Sequence, residues 1–366
     1  MVTAEKSRID CRHIDVLDGI RAVSVIIVLI FHFWQQTWIF PVIKTPWLAF
    51  VGITKIDFSN FATVGYLFVD MMVLISGFLL FLPLMRSIIL GEEMSSWKNY
   101  ARRRIARIVP SYYFAVLLLF FASALPTGAY ATTADALKDL FAHLTFTQTL
   151  WVNTYIATPL DVVLWTVAIE VWFYVLFPFV AEFIKGPRNK NRQSFTPAYG
   201  IFFIFAVFNI INYVYIENFV LKGNVYLAMR INQFPAFLGV YSIGMLGASA
   251  FVLIAKNCRR SRIFNAVNTL FSVCSILLII YLINDCVATQ ERQVWQVTER
   301  SKLAFVFMTF IITTALSSKW YRWLFSNKFM RFLSGISYNL YIWHQWLAVQ
   351  CKNTWRIPKW SGEIPP

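Results

Sequence analysis

Charge is what this sequence has least of. Only 14% of its 366 residues are Asp, Glu, Lys or Arg, where soluble domains carry about 25%. With 58% hydrophobic and 18% aromatic residues, the chain could not cover its own surface with polar side chains. That excludes a soluble enzyme, a disordered chain and a disulfide-stapled secreted module. The five cysteines are scattered (Cys11, Cys258, Cys274, Cys286, Cys351) and form no C-x-x-C or zinc spacing. Buried or free thiols are expected, although Cys286 and Cys351 could fall on one side of the membrane. H-E-x-x-H, Walker and G-x-S-x-G motifs are absent, and the four histidines lie far apart, so no metal is expected. No internal repeat, low-complexity tract or soluble domain is seen.

What is present is a series of long apolar runs, at 22–43, 58–85, 108–125, 162–184, 197–216, 231–255, 263–284, 303–318 and 332–351. Each suits a membrane span of about 20 residues. The expected fold is therefore an all-α, polytopic transmembrane helix bundle of nine spans. Acidic residues are the scarcer sign, 18 against 33 basic, for a net charge of +15. With the N-terminus in the cytoplasm, the inner connections hold 22 Lys and Arg and the outer ones 11. This positive-inside bias explains much of the surplus and removes the case for nucleic acid as a partner. The long outer connection 126–161 reads from Asp135 to Leu160 as an amphipathic, interfacial or re-entrant segment.

Ionisable groups inside the apolar runs are costly and therefore candidates for function. In LDGIRAVSVIIVLIFHF, Arg21 and His32 are eleven residues apart. They share one helix face and are separated by roughly 16 Å along the axis. A lone histidine on an apolar face is commonly a hydrogen-bonded packing residue; the arginine on the same face points instead to a joint role. In RRRIARIVPSYY, Arg104 and Arg107 are i,i+3 neighbours that could grip a phosphate with two guanidinium forks or anchor anionic lipid. Glu170 in LWTVAIEVWFYVLFPF could orient His32, stabilise its imidazolium, hold a hydroxyl or pair with a structural arginine. Asp70 and Ser76 in VDMMVLISGFLL lean towards structural roles, with Ser76-Gly77 offering close helix approach. Tyr338, Tyr341 and His344 in SYNLYIWH form one stripe, either site residues or a headgroup belt. Gly239, Gly244 and Gly247 suit helix packing. His13 and His143 have no recognisable partners.

In order, LDGIRAVSVIIVLIFHF, VDMMVLISGFLL, RRRIARIVPSYY, LWTVAIEVWFY and ISYNLYIWH resemble the acyltransferase 3 family of multispanning membrane enzymes over nearly the whole chain. The resemblance implies transfer of an acyl group, commonly acetyl, from cytoplasmic acyl-CoA to a hydroxyl of an extracytoplasmic or lipid-linked glycan. It implies an enzyme of the O-acetyltransferase type, integral to a bacterial plasma membrane. Its partners would be acyl-CoA, the glycan or glycolipid acceptor and membrane lipid. His32, Arg21, Arg104 and Arg107 are the implied functional positions, with Glu170 added. His32 is expected as the catalytic base, with Glu170 beside it, and Arg21, Arg104 and Arg107 as the acyl-CoA site. Asp70, Ser76, Tyr338 and His344 are expected to support the substrates. The family usually has ten spans, so the expectation is a single domain over 1–366 lacking its last span, with no fused esterase-like domain. The competing reading is a proton-coupled transporter or flippase of a sugar or glycolipid, with His32, Asp70 and Glu170 as its relay. A non-enzymatic scaffold is the third.

Overall fold

The computed structural model describes residues 9–186, 196–222 and 227–354. The basic connection at 187–195, residues 223–226 and the tail from residue 355 lie outside the described residues.

The chain is an all-α polytopic membrane protein. Its main helices are α1 (Val16–Thr37), α2 (Phe68–Leu90), α3 (Trp97–Leu119), α4 (Thr133–Leu144), α5 (Trp165–Lys185) and α6 (Thr196–Tyr215). They continue with α7 (Leu238–Asn257), α8 (Arg262–Ala288), α9 (Arg292–Leu316), α10 (Lys319–Ser326) and α11 (Lys328–Thr354). Among the described residues, seven helical segments are long and apolar enough to cross a membrane. The runs at 303–318 and 332–351, expected as two spans, belong to α9 and to the Lys319–Thr354 segment. These two meet the same criterion only as a pair, bent by 116°. The reason is polarity: α9 carries Arg292, Glu299, Arg300 and Lys302 in its first half, and α11 carries Ser, Tyr, His and Gln throughout.

The one strand pairing among the described residues is a short hairpin between α1 and α2, of β1 (Val42–Lys44) and β2 (Lys55–Asp57), with Val42 opposite Asp57. Here α1 stops earlier than the apolar run, because Trp38 adopts the left-handed conformation (φ 59°). At the other extreme, α3 begins eleven residues before its apolar run, so the basic stretch 102–107 is helix and not loop. The long connection 126–161 folds as expected for an amphipathic segment. Thr132 caps α4 by accepting the Asp135 N–H at 3.1 Å and donating to its carboxylate at 2.7 Å, while Leu137 and Phe141 stay exposed.

Helices α2 and α7 form the centre of the bundle. They meet through glycine, as small residues allow where lipid supplies no hydrophobic push. A Cβ on Gly244 would stand 2.7 Å from the Leu74 carbonyl oxygen and 2.9 Å from the Phe78 nitrogen. Both obstacles are backbone and cannot rotate aside. Gly244→Ala is therefore expected to destabilise the protein by about 1–3 kcal/mol through overpacking, read as a lower midpoint of thermal unfolding in detergent. An unchanged midpoint would mean the two helices have room to spare.

Candidate active site

Helix α1 is unbroken from Arg21 to His32, so the two side chains are separated along its axis by roughly 16 Å. They open into different cavities. At the N-terminal end of α1 lies a mouth of about 470 Å³, lined by Asp18, Arg21, Arg107, Arg331, Ser334 and Tyr338. Beyond it is a narrow throat of about 70 Å³, which shares Arg21, Arg107 and Tyr338 and adds Ser76, Glu170 and Tyr341. A third, wider chamber of about 270 Å³ contains His32 and shares Val69 and Tyr341 with the throat. The three cavities thus form one series, in which consecutive members have walls in common.

In the mouth and throat, three guanidiniums meet two carboxylates. Arg21 sits among Arg107, Glu170 and Asp18; Asp18 accepts from Ser334 Oγ at 3.1 Å. Arg107 lines both cavities, whereas its neighbour Arg104 does not. The Arg104 guanidinium lies over the rings of Tyr174 (5.0 Å) and Tyr100 (5.6 Å), a cation–π arrangement that fixes it beside the throat. Arg331, counted from sequence as an ordinary loop charge, supplies the third guanidinium of the mouth.

Glu170 is where the structure departs from expectation. Its carboxylate accepts from Ser76 Oγ at 3.2 Å and from the Tyr174 hydroxyl. It belongs to the throat, not to the shell around His32. The expectation that it orients His32 or stabilises its imidazolium is corrected accordingly. The tyrosine on the following turn of its own helix and the serine on α2 take its oxygen.

The neighbour of His32 is another histidine. The ring centroids of His32 and His344 are 4.9 Å apart. His32 Nδ1 lies 3.2 Å from Gln35 Oε1; an amide oxygen only accepts, so in this arrangement Nδ1 carries the proton and Nε2 is a free base. His344 Nδ1 lies 2.5 Å from the Tyr341 carbonyl oxygen, which fixes the same tautomer. Its Nε2 is buried with no hydrogen-bond partner among the described residues. The expected stripe therefore divides its work. Tyr338 bounds mouth and throat and donates to the Ile108 carbonyl at 3.1 Å. Tyr341 stands at the join of throat and chamber, and His344 backs His32.

Asp70 is not part of this series. It is fully buried and paired with Arg300 (Nε to Oδ2, 3.2 Å). Arg300 also donates to the carbonyls of Ile231 and Ala236, both at 3.1 Å, and covers the Phe237 ring at 4.3 Å. The expected substrate-supporting role of Asp70 is replaced by a structural one. Arg300 had read as a loop residue because three charges cluster between 299 and 302; a helix beginning at Arg292 carries it into the core.

Two further groups escaped sequence reasoning. Asp161 accepts backbone N–H groups from Val163 (3.2 Å) and Trp346 (3.2 Å), tying the 126–161 connection to α11 beside the chamber. Burial pushes its carboxyl up to about 7. His143, expected to be partnerless, is buried against Asp139 (Nδ1 to Oδ1, 3.1 Å), whose other oxygen accepts from Tyr130 (2.8 Å) and Thr158 (2.7 Å). His13 pairs at the surface with Asp15 at 2.9 Å. The signal for His143 was its i,i+4 spacing from Asp139.

Against known proteins, a family model described as an acyltransferase domain (Acyl_transf_3) matches residues 14–361. The chain is 26% identical over 355 residues to a "Putative O-acetyltransferase" of Staphylococcus aureus (strain COL), covering 91% of this chain and 50% of that protein. It is 25% identical over 261 residues to a "Putative acetyltransferase" of Acidianus two-tailed virus (68% and 65%). Over 201 residues it is 28% identical to the O-acetyltransferase OatA of Staphylococcus aureus (strain NCTC 8325 / PS 47) (50% and 28%). It thus spans about half the length of the first of these relatives. No solved structure matches it.

Proposed function

The chain belongs to the acyltransferase family whose model covers residues 14–361, and on that premise we propose that it is a membrane O-acetyltransferase using acyl-CoA as donor. The acetyl group of acetyl-CoA passes to a hydroxyl of an extracytoplasmic or lipid-linked glycan. The N-terminus is cytoplasmic, the chain is integral to a bacterial plasma membrane, and the arginine mouth faces the cytoplasm. The observation that carries this reading is the profile of the cavity series: a wide basic mouth, a thin throat, then a wider chamber with a free imidazole.

Acyl-CoA has a matching shape, a polyanionic nucleotide on a thin arm that ends in the thioester. Arg21, Arg107 and Arg331 hold phosphate oxygens in the mouth, with Arg104 beside them. The arm lies in the throat, where Ser76 and Glu170 offer polar contacts. The thioester reaches the join at Tyr341. His32 Nε2 then takes the proton of the acceptor hydroxyl as its oxygen attacks the thioester carbonyl. A Tyr341 hydroxyl is placed to steady the oxyanion. On collapse the carbon–sulfur bond breaks, and the imidazolium returns its proton to the departing thiolate. A proton relay through Asp70 loses its support, since Arg300 holds that carboxylate.

The test uses proteoliposomes, radiolabelled acetyl-CoA and an Arg104→Ala/Arg107→Ala variant. The lost charge-assisted contact of Arg107, at about 1.5 kcal/mol, predicts a KM for acetyl-CoA raised by at least about tenfold, with Arg104 removed so that it cannot swing in as a substitute. Unchanged KM and turnover would reassign both arginines to lipid anchoring.

A further inference from the structure

The chamber around His32 differs in kind from the mouth. Among the described residues that line it there is no Asp, Glu, Lys or Arg. Its polar walls are carboxamides brought from separate elements: Gln35 on α1, Asn232 before α7, Gln293 and Gln296 on one face of α9, and Gln345 on α11. We propose that this chamber selects an uncharged polyhydroxyl ring as the acceptor, and that Gln296 and Gln345 are its specificity-determining side chains. The inference rests on the acyltransferase reading and deepens it by naming the acceptor's charge class.

Three observations converge on this. Gln296 is 5% exposed, and Gln345 Oε1 is buried with no hydrogen-bond partner among the described residues. An acceptor oxygen held in such a place awaits a donor, which a ring hydroxyl supplies. Each carboxamide both donates and accepts, as does each hydroxyl, so the two satisfy one another in either direction. A phosphate or carboxylate only accepts and an ammonium only donates, so each would leave half of every facing amide unmet.

Charge adds to the mismatch. Of the buried charged groups around it, Asp70 and Arg300 lie behind the Phe237 wall and neutralise one another at 3.2 Å, and the Asp161 carboxylate is turned to the backbone N–H groups of Val163 and Trp346 and does not line the chamber. An ionic acceptor would therefore be desolvated with no counter-charge in the chamber. Trp165, also in the wall, provides a flat apolar surface for the C–H face of a ring, and the tyrosine hydroxyl facing Asn232 (Tyr155, 2.8 Å) fixes that amide's orientation.

Equilibrium dialysis of the purified full chain against radiolabelled methyl glucoside, glucosamine and glucuronate tests the selection without any transfer step. The neutral glycoside is expected to bind at least ~10-fold more tightly than either charged sugar, a gap that unmet polar groups routinely generate. Gln296→Glu is expected to reverse the order between methyl glucoside and glucosamine. Gln293→Glu, at the exposed edge of the same face, serves if the buried carboxylate prevents folding. Gln345→Leu should weaken the neutral sugar ~10-fold while leaving acetyl-CoA binding untouched. Charged sugars bound within threefold of the neutral one, no binding of the neutral sugar, or glutamate variants without effect on the ratio would each overturn the proposal. Acetyl-CoA binding, titrated on the same preparation, fails separately if the acyltransferase reading is at fault.

Discussion

His32→Ala is expected to lower acetyl transfer by about 10²–10⁴-fold, the range that a positioned general base contributes, while acetyl-CoA binding persists. The split follows from distance along α1. The guanidiniums of the mouth stand at the opposite end of the throat from the imidazole and do not depend on it. Gln35→Leu should give a smaller loss of the same sign, because it frees Nδ1 and lets the other tautomer form. The KM for acetyl-CoA should stay near its original value in both variants. Steady-state kinetics in proteoliposomes, with thermal unfolding as a control, measures both quantities. If His32→Ala kept its turnover, the imidazole would be a packing residue and the base would have to be sought elsewhere.

The largest expected loss of stability lies at Asp70 and Arg300. Removing one partner of a buried pair leaves an uncompensated charge and costs about 3–5 kcal/mol. Asp70→Ala strands a guanidinium that retains only the Ile231 and Ala236 carbonyls. Arg300→Ala strands a carboxylate with no other partner. The double variant Asp70→Val/Arg300→Met, close to the native pair in total volume and without charge, should recover most of the loss. A double-mutant cycle on unfolding midpoints reads the coupling. Near-additive losses would show that the two side chains act independently. Retained acetyl transfer in the double variant is also expected, since neither side chain lines the cavity series.

Much of the architecture was legible because the apolar runs are long and their interruptions few. The eleven-residue spacing of Arg21 and His32 placed both on one helix, and the 338–341–344 stripe faces the interior as its spacing implied. Partnership was less legible. Glu170 reads in sequence as a carboxylate in search of a cation, yet its oxygen is taken by Ser76 and Tyr174, and the hydroxyl of Ser76 comes from another helix. Arg300 and Arg331 look like solvated charges at the ends of apolar runs. Helix α9 starting at Arg292 and the approach of α11 to α1 turn one into a core residue and the other into part of the mouth. Charge counting by loop is blind to such changes, because it assumes that a basic residue beside a span faces water. The five carboxamides of the chamber are uncharged and scattered from 35 to 345, so only their convergence in space gives them meaning.

The throat between Arg107 and Tyr341 has a further consequence for the membrane itself. A passage of about 70 Å³ has room for about five to seven waters at roughly 10–15 Å³ of such volume each, and a permanently hydrated pore would short-circuit the ion gradients on either side. On the proposed reading, a slender organic tether would bring its reactive tip past the constriction while filling it, so that insulation would be retained during each delivery and the stopper would be the cargo's own stem.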